Sequence, residues 1–363
     1  MKKVLKYLLR FFAVLLVTVV VLLGTLYLML LKFKNGPSES AKNMFITTIM
    51  ESGQLKFVAS LVCTPEEIEE IVGSNAMASM GDIAQDTGLI TIGGESSDTS
   101  SQITTDEVFD ENGIRIEEIS GRSFFAKMLI IKDPSQVKVG STYPWSTYGK
   151  ELGELVEESG AVAGVNGGLY ESSGNTGGSP LGVVVQDGEI TYNSPSSYTG
   201  LYMIGLNNDN ILIIKDIQGM SASDFSDYVA SEGIRDAVAF QDEATDSDNH
   251  FVPLIINGVA RELQGQGSGS NPRTAIGQRE DGAILLLVTD GRGTGGHLGA
   301  SASDLIAIMQ DYGAVNAANL DGGSSSSMYY NGDYEMTSVT FYYQNSSWKL
   351  PTAFVVTPKG GAD

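Results

Sequence analysis

Ala283-Ile284-Leu285-Leu286-Leu287-Val288-Thr289, followed at once by Asp290-Gly291-Arg292, is the stretch on which the fold reading turns. Seven uncharged residues closed by an Asp-Gly turn are too few for an ordinary helix and read as a strand. Working outward, 124–131, 137–139, 182–186, 201–204 and 211–214 are also short apolar or alternating runs bounded by turn residues. Three segments have helical spacing instead: 152–159, 221–231 and 301–312, the last two opening with Ser-x-x-Asp capping sequences. Strands outnumber helices and alternate irregularly with them. Residues 114–358 are therefore expected to form an α+β domain, a mixed β-sheet with flanking helices.

The chain ahead of this domain has a different texture. Residues 11–31 form an uncharged, almost wholly apolar run, which as a helix covers roughly 30 Å, the thickness of a bilayer core. Lys2, Lys3, Lys6 and Arg10 precede it, which favours a cytoplasmic N-terminus and places the bulk of the chain outside the cell, as a single-pass membrane protein. A cleaved signal peptide is the competing reading; the run is long for one and no small-x-small site ends it. The expected order is a basic flank and transmembrane anchor (1–34), a helical stalk (35–74), a Gly/Ser/Thr/Asp-rich linker (75–113), the sheet domain and a short tail (359–363). Within the stalk, Thr64-Pro65-Glu66-Glu67 has the form of an N-cap, a proline at the first helical position and an acidic first turn.

Six of the 22 basic residues and none of the 44 acidic ones lie in the first 34 positions, so the remainder carries a charge near −28. Such a field disfavours nucleic acid and anionic membrane surfaces as partners, and an anionic substrate would have to be held by local cations. A lone Cys63 excludes an internal disulfide framework.

Four polar clusters beside glycine or proline stand out: Asn166-Gly167-Gly168, Asn271-Pro272-Arg273-Thr274, Asp290-Gly291-Arg292, and Asn319-Leu320-Asp321-Gly322-Gly323 leading into Ser324–Ser327. Singly each is an ordinary turn. Together with Gly164-Val165 before the first, Leu169-Tyr170 after it, Pro180-Leu181-Gly182, Asp187-Gly188 and Ala275-Ile276-Gly277, they resemble, in this order, the phosphodiester glycosidase domain family. That family is similar to the uncovering enzyme, which removes N-acetylglucosamine from a mannose phosphodiester. The resemblance implies hydrolysis of a sugar-1-phosphodiester at the glycosidic bond, in envelope or extracellular glycans such as exopolysaccharide. The alternative is a non-catalytic module that binds glycan or teichoic acid without cleaving it; a third reading is an interaction protein assembling through the 41–74 helices.

Such chemistry needs a group to hold the phosphodiester, a carboxylic acid or equivalent to assist departure of the phosphate, and a carboxylate to stabilise oxocarbenium character or activate water. Arg273, with Thr274 beside it, and Arg292 are the candidate clamps, against the alternative that each pairs with a domain carboxylate. Asp321 and Asp290 are the candidate catalytic carboxylates, against an Asx turn and an Asp-Gly turn respectively. Asn166 is expected to meet the sugar or the diester, with Gly167 and Gly168 clearing room, and Asn319, Gly322, Gly323, Ser324 and Ser325 to line the pocket, the serines as hydroxyl and backbone donors to an anion. His297 reads as a loop residue, with acid–base work as the alternative. No cofactor is required; the run Asp236, Asp242, Glu243, Asp246 and Asp248 offers oxygen donors of the kind calcium or another divalent metal takes, though without EF-hand spacing. Lys349, before Leu350-Pro351-Thr352, stands where the family often has arginine, which keeps the charge and loses the bidentate fork. The sugar, the stereochemical outcome and the oligomeric state are left open by the sequence.

Overall fold

The computed structural model describes residues 2–52, 55–81, 83–93, 108–171, 173–243, 250–337 and 345–360. The N-terminal apolar run lies in α1 (Lys2–Lys34), long and apolar enough to cross a membrane. Three short helices follow: α2 (Glu39–Met50), α3 (Lys56–Ser60) and α4 (Pro65–Gly73). The Thr64 side chain accepts the Glu67 N–H, the N-cap expected from Thr-Pro-Glu-Glu, and Glu67 also reaches back to the Thr64 N–H. Ile46, Ile49, Ala59, Val62 and Ile71 bury a small core between these helices, and Leu30 and Leu31 of α1 pack onto it. This unit does not stand clear of the sheets: the Gly269 backbone lies so close to Thr48 that a side chain at 269 would meet its Cα at 2.6 Å.

The sheet domain begins with β1 (Ile114–Ser120), β2 (Phe125–Ile131) and β3 (Val137–Ser141), then α5 (Leu152–Glu158). Next come β4 (Ala163–Asn166), β5 (Val183–Gln186), β6 (Glu189–Asn193), β7 (Leu201–Asn207) and β8 (Leu212–Asp216). After α6 (Ala222–Glu232) the chain forms β9 (Ile234–Gln241), β10 (Pro253–Ile256), β11 (Val259–Ala260), β12 (Thr274–Arg279) and β13 (Ile284–Thr289). It ends with α7 (Ala302–Asp311), β14 (Ala314–Asn319), β15 (Ser327–Tyr330), β16 (Asp333–Thr337) and β17 (Thr352–Val356). Ser221 and Ser301 cap α6 and α7 through reciprocal bonds with Asp224 and Asp304.

The mixed sheet expected from the sequence resolves into three sheets, in the orders β1-β2-β13-β12-β14-β10-β11, β16-β15-β4-β17-β3 and β6-β5-β9-β7-β8. Leu129, Val165, Val238, Ile276, Leu286 and Phe354, drawn from all three, share one core, and each sheet turns its other face to a helix. In β13, Ile284, Leu286 and Val288 face the shared core while Leu285 and Leu287 face Leu305 and Met309 of α7. A strand covered on both sides needs no polar face, so 283–289 is apolar throughout instead of alternating. Burying one such side chain contributes about 1.5–3 kcal/mol, so α7 and α6, with Phe225 and Val229, are held mainly by this contact.

Residues 75–81 and 83–93 run along the sheets. Met77 is buried and bridges to Leu263, Gln85 bonds to the backbones of Leu212 and Ile214, and the Thr91 N–H donates to the Glu280 carbonyl. Residues 94–107 of the expected linker lie outside the described residues.

Candidate functional site

Antiparallel pairing gathers the four clusters. Thr274 opposes Val288 and Ala275 opposes Asn319, so the start of β12, the end of β13 and the end of β14 lie at one edge. Met328 opposes Val165 in the second sheet, which sets the end of β4 beside the start of β15. The loops at 166–168, 271–273, 290–299 and 320–326 therefore meet, although 155 residues separate Asn166 from Asp321.

Asp321 leaves the sheet after the fully buried Leu320 and is partly buried itself. Its Oδ1 accepts the Gly322 N–H at 2.9 Å, and Ser325 hydrogen-bonds the carboxylate. Burial pushes its pKa up to about 6, against these two bonds and the Arg292 charge, which pull it down. Tyr170 lies behind Ser325, hydroxyl to hydroxyl at 2.9 Å; burial and the negative charge of Asp321 raise its pKa, so it remains protonated. An arrangement in which Tyr170 donates to Ser325 and Ser325 donates to Asp321 satisfies all three groups.

Arg292 faces this carboxylate from the 290–299 loop. Its side chain is open to solvent, and Nη1 donates to Ser324 Oγ at 2.8 Å. Desolvation by the surrounding loops, then repulsion from Arg273, lowers its pKa, while Asp321 and Glu51 oppose the shift. The backbone at Arg292 is left-handed, φ 54°, a conformation that an arginine adopts at a cost. Gly323, itself at φ 63°, leaves the space this guanidinium fills: a Cβ there would stand 2.7 Å from Nη2. The glycine expected to admit substrate thus admits Arg292.

Arg273, the other expected clamp, lies close to Gly322 but faces inward. It is buried, stacked over Phe251 with the guanidinium 5.0 Å from the ring centroid. Its donors reach the Ala300 carbonyl, Ser268 Oγ, the Gly269 carbonyl at 3.0 Å and Glu51 at 2.6 Å. Through Nε and Nη2 the guanidinium braces this loop, a role beside the phosphate grip expected of it.

Other expected contacts are also braces. Asn166 is wholly buried: Nδ2 donates to the Asp321 carbonyl at 2.6 Å, and Oδ1 accepts Thr274 Oγ1 at 2.7 Å and the Ser327 N–H at 3.2 Å. Asn166 and Thr274 therefore fix the Asp321 loop from beneath instead of meeting a sugar. Gly167 and Gly168 make room for protein, since a Cβ would meet Thr352 at 2.5 Å and the Ala239 carbonyl at 2.4 Å. Asn319 is buried, donates to the Phe251 carbonyl at 3.0 Å, and leaves Oδ1 without a partner. Of the serines, Ser324 meets Arg292 and Ser325 meets Tyr170, while Gly323–Ser325 forms a single 3₁₀ turn in place of a helix opening onto an anion.

Asp290 is not a free carboxylate. Oδ1 accepts the Phe125 N–H at 2.8 Å and Oδ2 lies 2.6 Å from His297 Nδ1, so it orients an imidazole whose side chain is 34% exposed. The sequence read His297 as a loop residue with acid–base work as the alternative; the contact that favours the alternative is seven residues away and appears only in space. Tyr170 was within a quoted motif but unassigned. Glu51 carried no signal at all.

The described members of the acidic run are held by cations and backbone or hydroxyl donors. Asp242 is held by Arg261 and Asp236 by Arg235 and the Val139 N–H; Asp246 and Asp248 lie outside the described residues. Among the described residues, no three His, Cys, Asp or Glu side chains are grouped to hold a metal. Lys349 places its ammonium 5.3 Å from the Tyr148 ring centroid.

Against known proteins, residues 159–357 match the phosphodiester glycosidase family model. An uncharacterized SPbeta prophage-derived protein of Bacillus subtilis, YomE, is 25% identical over 199 residues, 53% of this chain and 28% of that protein. The chain thus spans little more than a quarter of the length of this relative. Among solved structures, the zebrafish N-acetylglucosamine-1-phosphodiester alpha-N-acetylglucosaminidase catalytic domain, auto-inhibited by its pro-peptide, superposes with a TM-score of 0.51 at 17% identity. That likeness covers 71% of this chain and 87% of the zebrafish domain, and it is a likeness of fold. With more than half of its length matched by the family model, from the segment before β4 through β17, the chain belongs to the phosphodiester glycosidase family.

Proposed function

We propose that the chain is a membrane-anchored hydrolase that cleaves a sugar-1-phosphodiester of envelope or extracellular glycans, with α1 crossing the membrane and the sheet domain outside. The observation that carries this reading is the proximity of Asp321, its pKa raised to about 6 against the pull of the Arg292 charge, to an Arg292 whose guanidinium, among the described residues, meets one oxygen, Ser324 Oγ. Arg292 holds the diester through charge-assisted hydrogen bonds. Water attacks the anomeric carbon, its proton passes to Asp321, and the C1–O bond breaks with its electron pair leaving on the phosphate oxygen. The products are a free sugar and a phosphomonoester. A phosphate leaves without full protonation, so one ionised carboxylate suffices where the two-carboxylate arrangement of other glycosidases supplies an acid as well. Ser325 and Tyr170 hold Asp321 toward the reacting centre and keep it from turning away.

The test is to incubate the purified full-length chain in detergent with a panel of sugar-1-phosphodiesters and to measure free sugar and phosphomonoester in equal amounts. Turnover that falls by about 10²–10⁴ in Asp321→Asn supports the reading. Tight binding of a phosphodiester-linked polymer with no turnover across the panel would establish the binding module instead.

A further inference from the structure

The helical unit between the anchor and the sheets lies outside the matched family segment, yet it delivers one side chain to the candidate site. Glu51 caps the C-terminal end of α2 and is 2% exposed. One carboxylate oxygen accepts the Gly269 N–H; the other accepts Asn271 Nδ2 at 2.8 Å and Arg273 Nη2 at 2.6 Å. Thr48, one turn earlier, accepts the Ser270 N–H at 2.9 Å. All four partners belong to 269–273, the segment whose Pro272 carbonyl accepts the Gly323 N–H at 2.8 Å and whose Arg273 lies against Gly322.

We propose that Glu51 is a positioning residue of the hydrolytic site: through Arg273 and Asn271 it fixes the 269–273 segment against the Asp321–Ser325 turn, making α2 part of the catalytic unit. The proposal rests on the reading of the site as a phosphodiester glycosidase. Its physical basis is that an inward arginine needs a counter-charge in place before it can order a loop. Glu51 is the carboxylate that bonds it, and the remaining Arg273 partners, Ser268 Oγ and the carbonyls of Gly269 and Ala300, are neutral. Without Glu51 the guanidinium is a buried charge short of its partner, and it turns toward the nearest negative groups, Asp321 or the substrate. Displacement of about 1 Å at the turn carrying the reacting carboxylate costs around 100-fold in rate.

The experiment compares full-length wild type with Glu51→Ala, Glu51→Gln and Glu51→Asp in detergent, following kcat and KM on the substrate found above. In parallel, phenylglyoxal modification of Arg273 is mapped by mass spectrometry. Glu51→Ala is expected to lose about 100-fold in kcat with a much smaller change in KM, and Arg273, protected in wild type, becomes modified. Glu51→Asp restores part of kcat, which a role in overall folding alone does not predict when the variants melt at the same temperature. Wild-type kcat in Glu51→Ala, or a gain in activity, overturns the proposal; a gain would mark Glu51 as a plug. If Glu51→Ala does not fold, the same comparison is made with Glu51→Gln, which keeps the shape and loses the charge. If wild type hydrolyses no phosphodiester, the activity reading fails separately, and unchanged protection of Arg273 in the Glu51 variants still overturns the positioning role.

Discussion

Two arginines reach the same turn from neighbouring loops, and they have opposite lives. Arg273 sits in 268–273 with an aromatic ring and four protein acceptors, one of them its counter-ion Glu51. Arg292 sits in 290–299 with one serine oxygen, an open side chain and a left-handed backbone. Arg273 is anchored through Nε and Nη2, whereas Arg292 is held on a left-handed backbone with its guanidinium bonded to Ser324. The difference teaches that, in a strongly acidic chain, a cation's availability is decided by which carboxylates the fold keeps away from it.

The sharpest way to break this contrast is to remove each arginine in turn. Arg273→Ala strands Glu51 without its cation and is expected to lower unfolding free energy by about 3–5 kcal/mol, read by chemical denaturation. Arg292→Ala should leave that value nearly unchanged while reducing kcat/KM by about 10²–10³, the scale for losing one donor to developing charge. Equal stability losses in the two variants would erase the distinction.

Asp321 supplies the next test, of intermediate size. Its folded-state pKa of about 6 lies above the ordinary 3.8, so the ionised carboxylate destabilises the fold above pH 6 and the penalty fades as pH falls through 6 toward 3.8. Asp321→Asn is therefore expected to be more stable than wild type at pH 8 by on the order of 2 kcal/mol, with the gain vanishing near pH 4. The wild-type kcat/KM profile should show its acid limb near pH 6, because the reaction uses the ionised form. A flat profile between pH 5 and 7 would remove Asp321 as the base. The smallest effect is conformational: Arg292→Gly relieves the left-handed backbone and should exceed Arg292→Ala in melting stability by about 1 kcal/mol, with both equally inactive.

Much of the framework could be read in advance because its signals are local. The apolar run at 283–289, the Ser-x-x-Asp caps at 221 and 301 and the Thr64 capping box each state their structure within a few residues. The Asp321 cluster was legible as a site for a different reason, its density of polar groups beside glycine. What the sequence concealed was direction. Asn166, Thr274 and Arg273 are polar residues beside glycine or proline in turns, as ligand-binding residues are, and nothing local says that their partners lie 155, 108 and 222 residues away. Gly167, Gly168 and Gly323 were legible as points of close approach, but whether substrate or protein approaches depends on β17, β9 and Arg292 arriving there. For His297 the alternative of acid–base work gained its partner, Asp290, only in space.

The packing of α1 against the short helices also has a consequence for reach. Phe33 meets Phe45 edge-on at 4.9 Å, Lys34 pairs with Glu67, and Glu51 ends α2 beside Arg273, so packed side chains link α1 to the candidate site. The twelve residues of α2 rise about 18 Å. With α1 embedded as proposed, anchor and cleft are joined through packed side chains, and the diesters within reach are those close to the membrane.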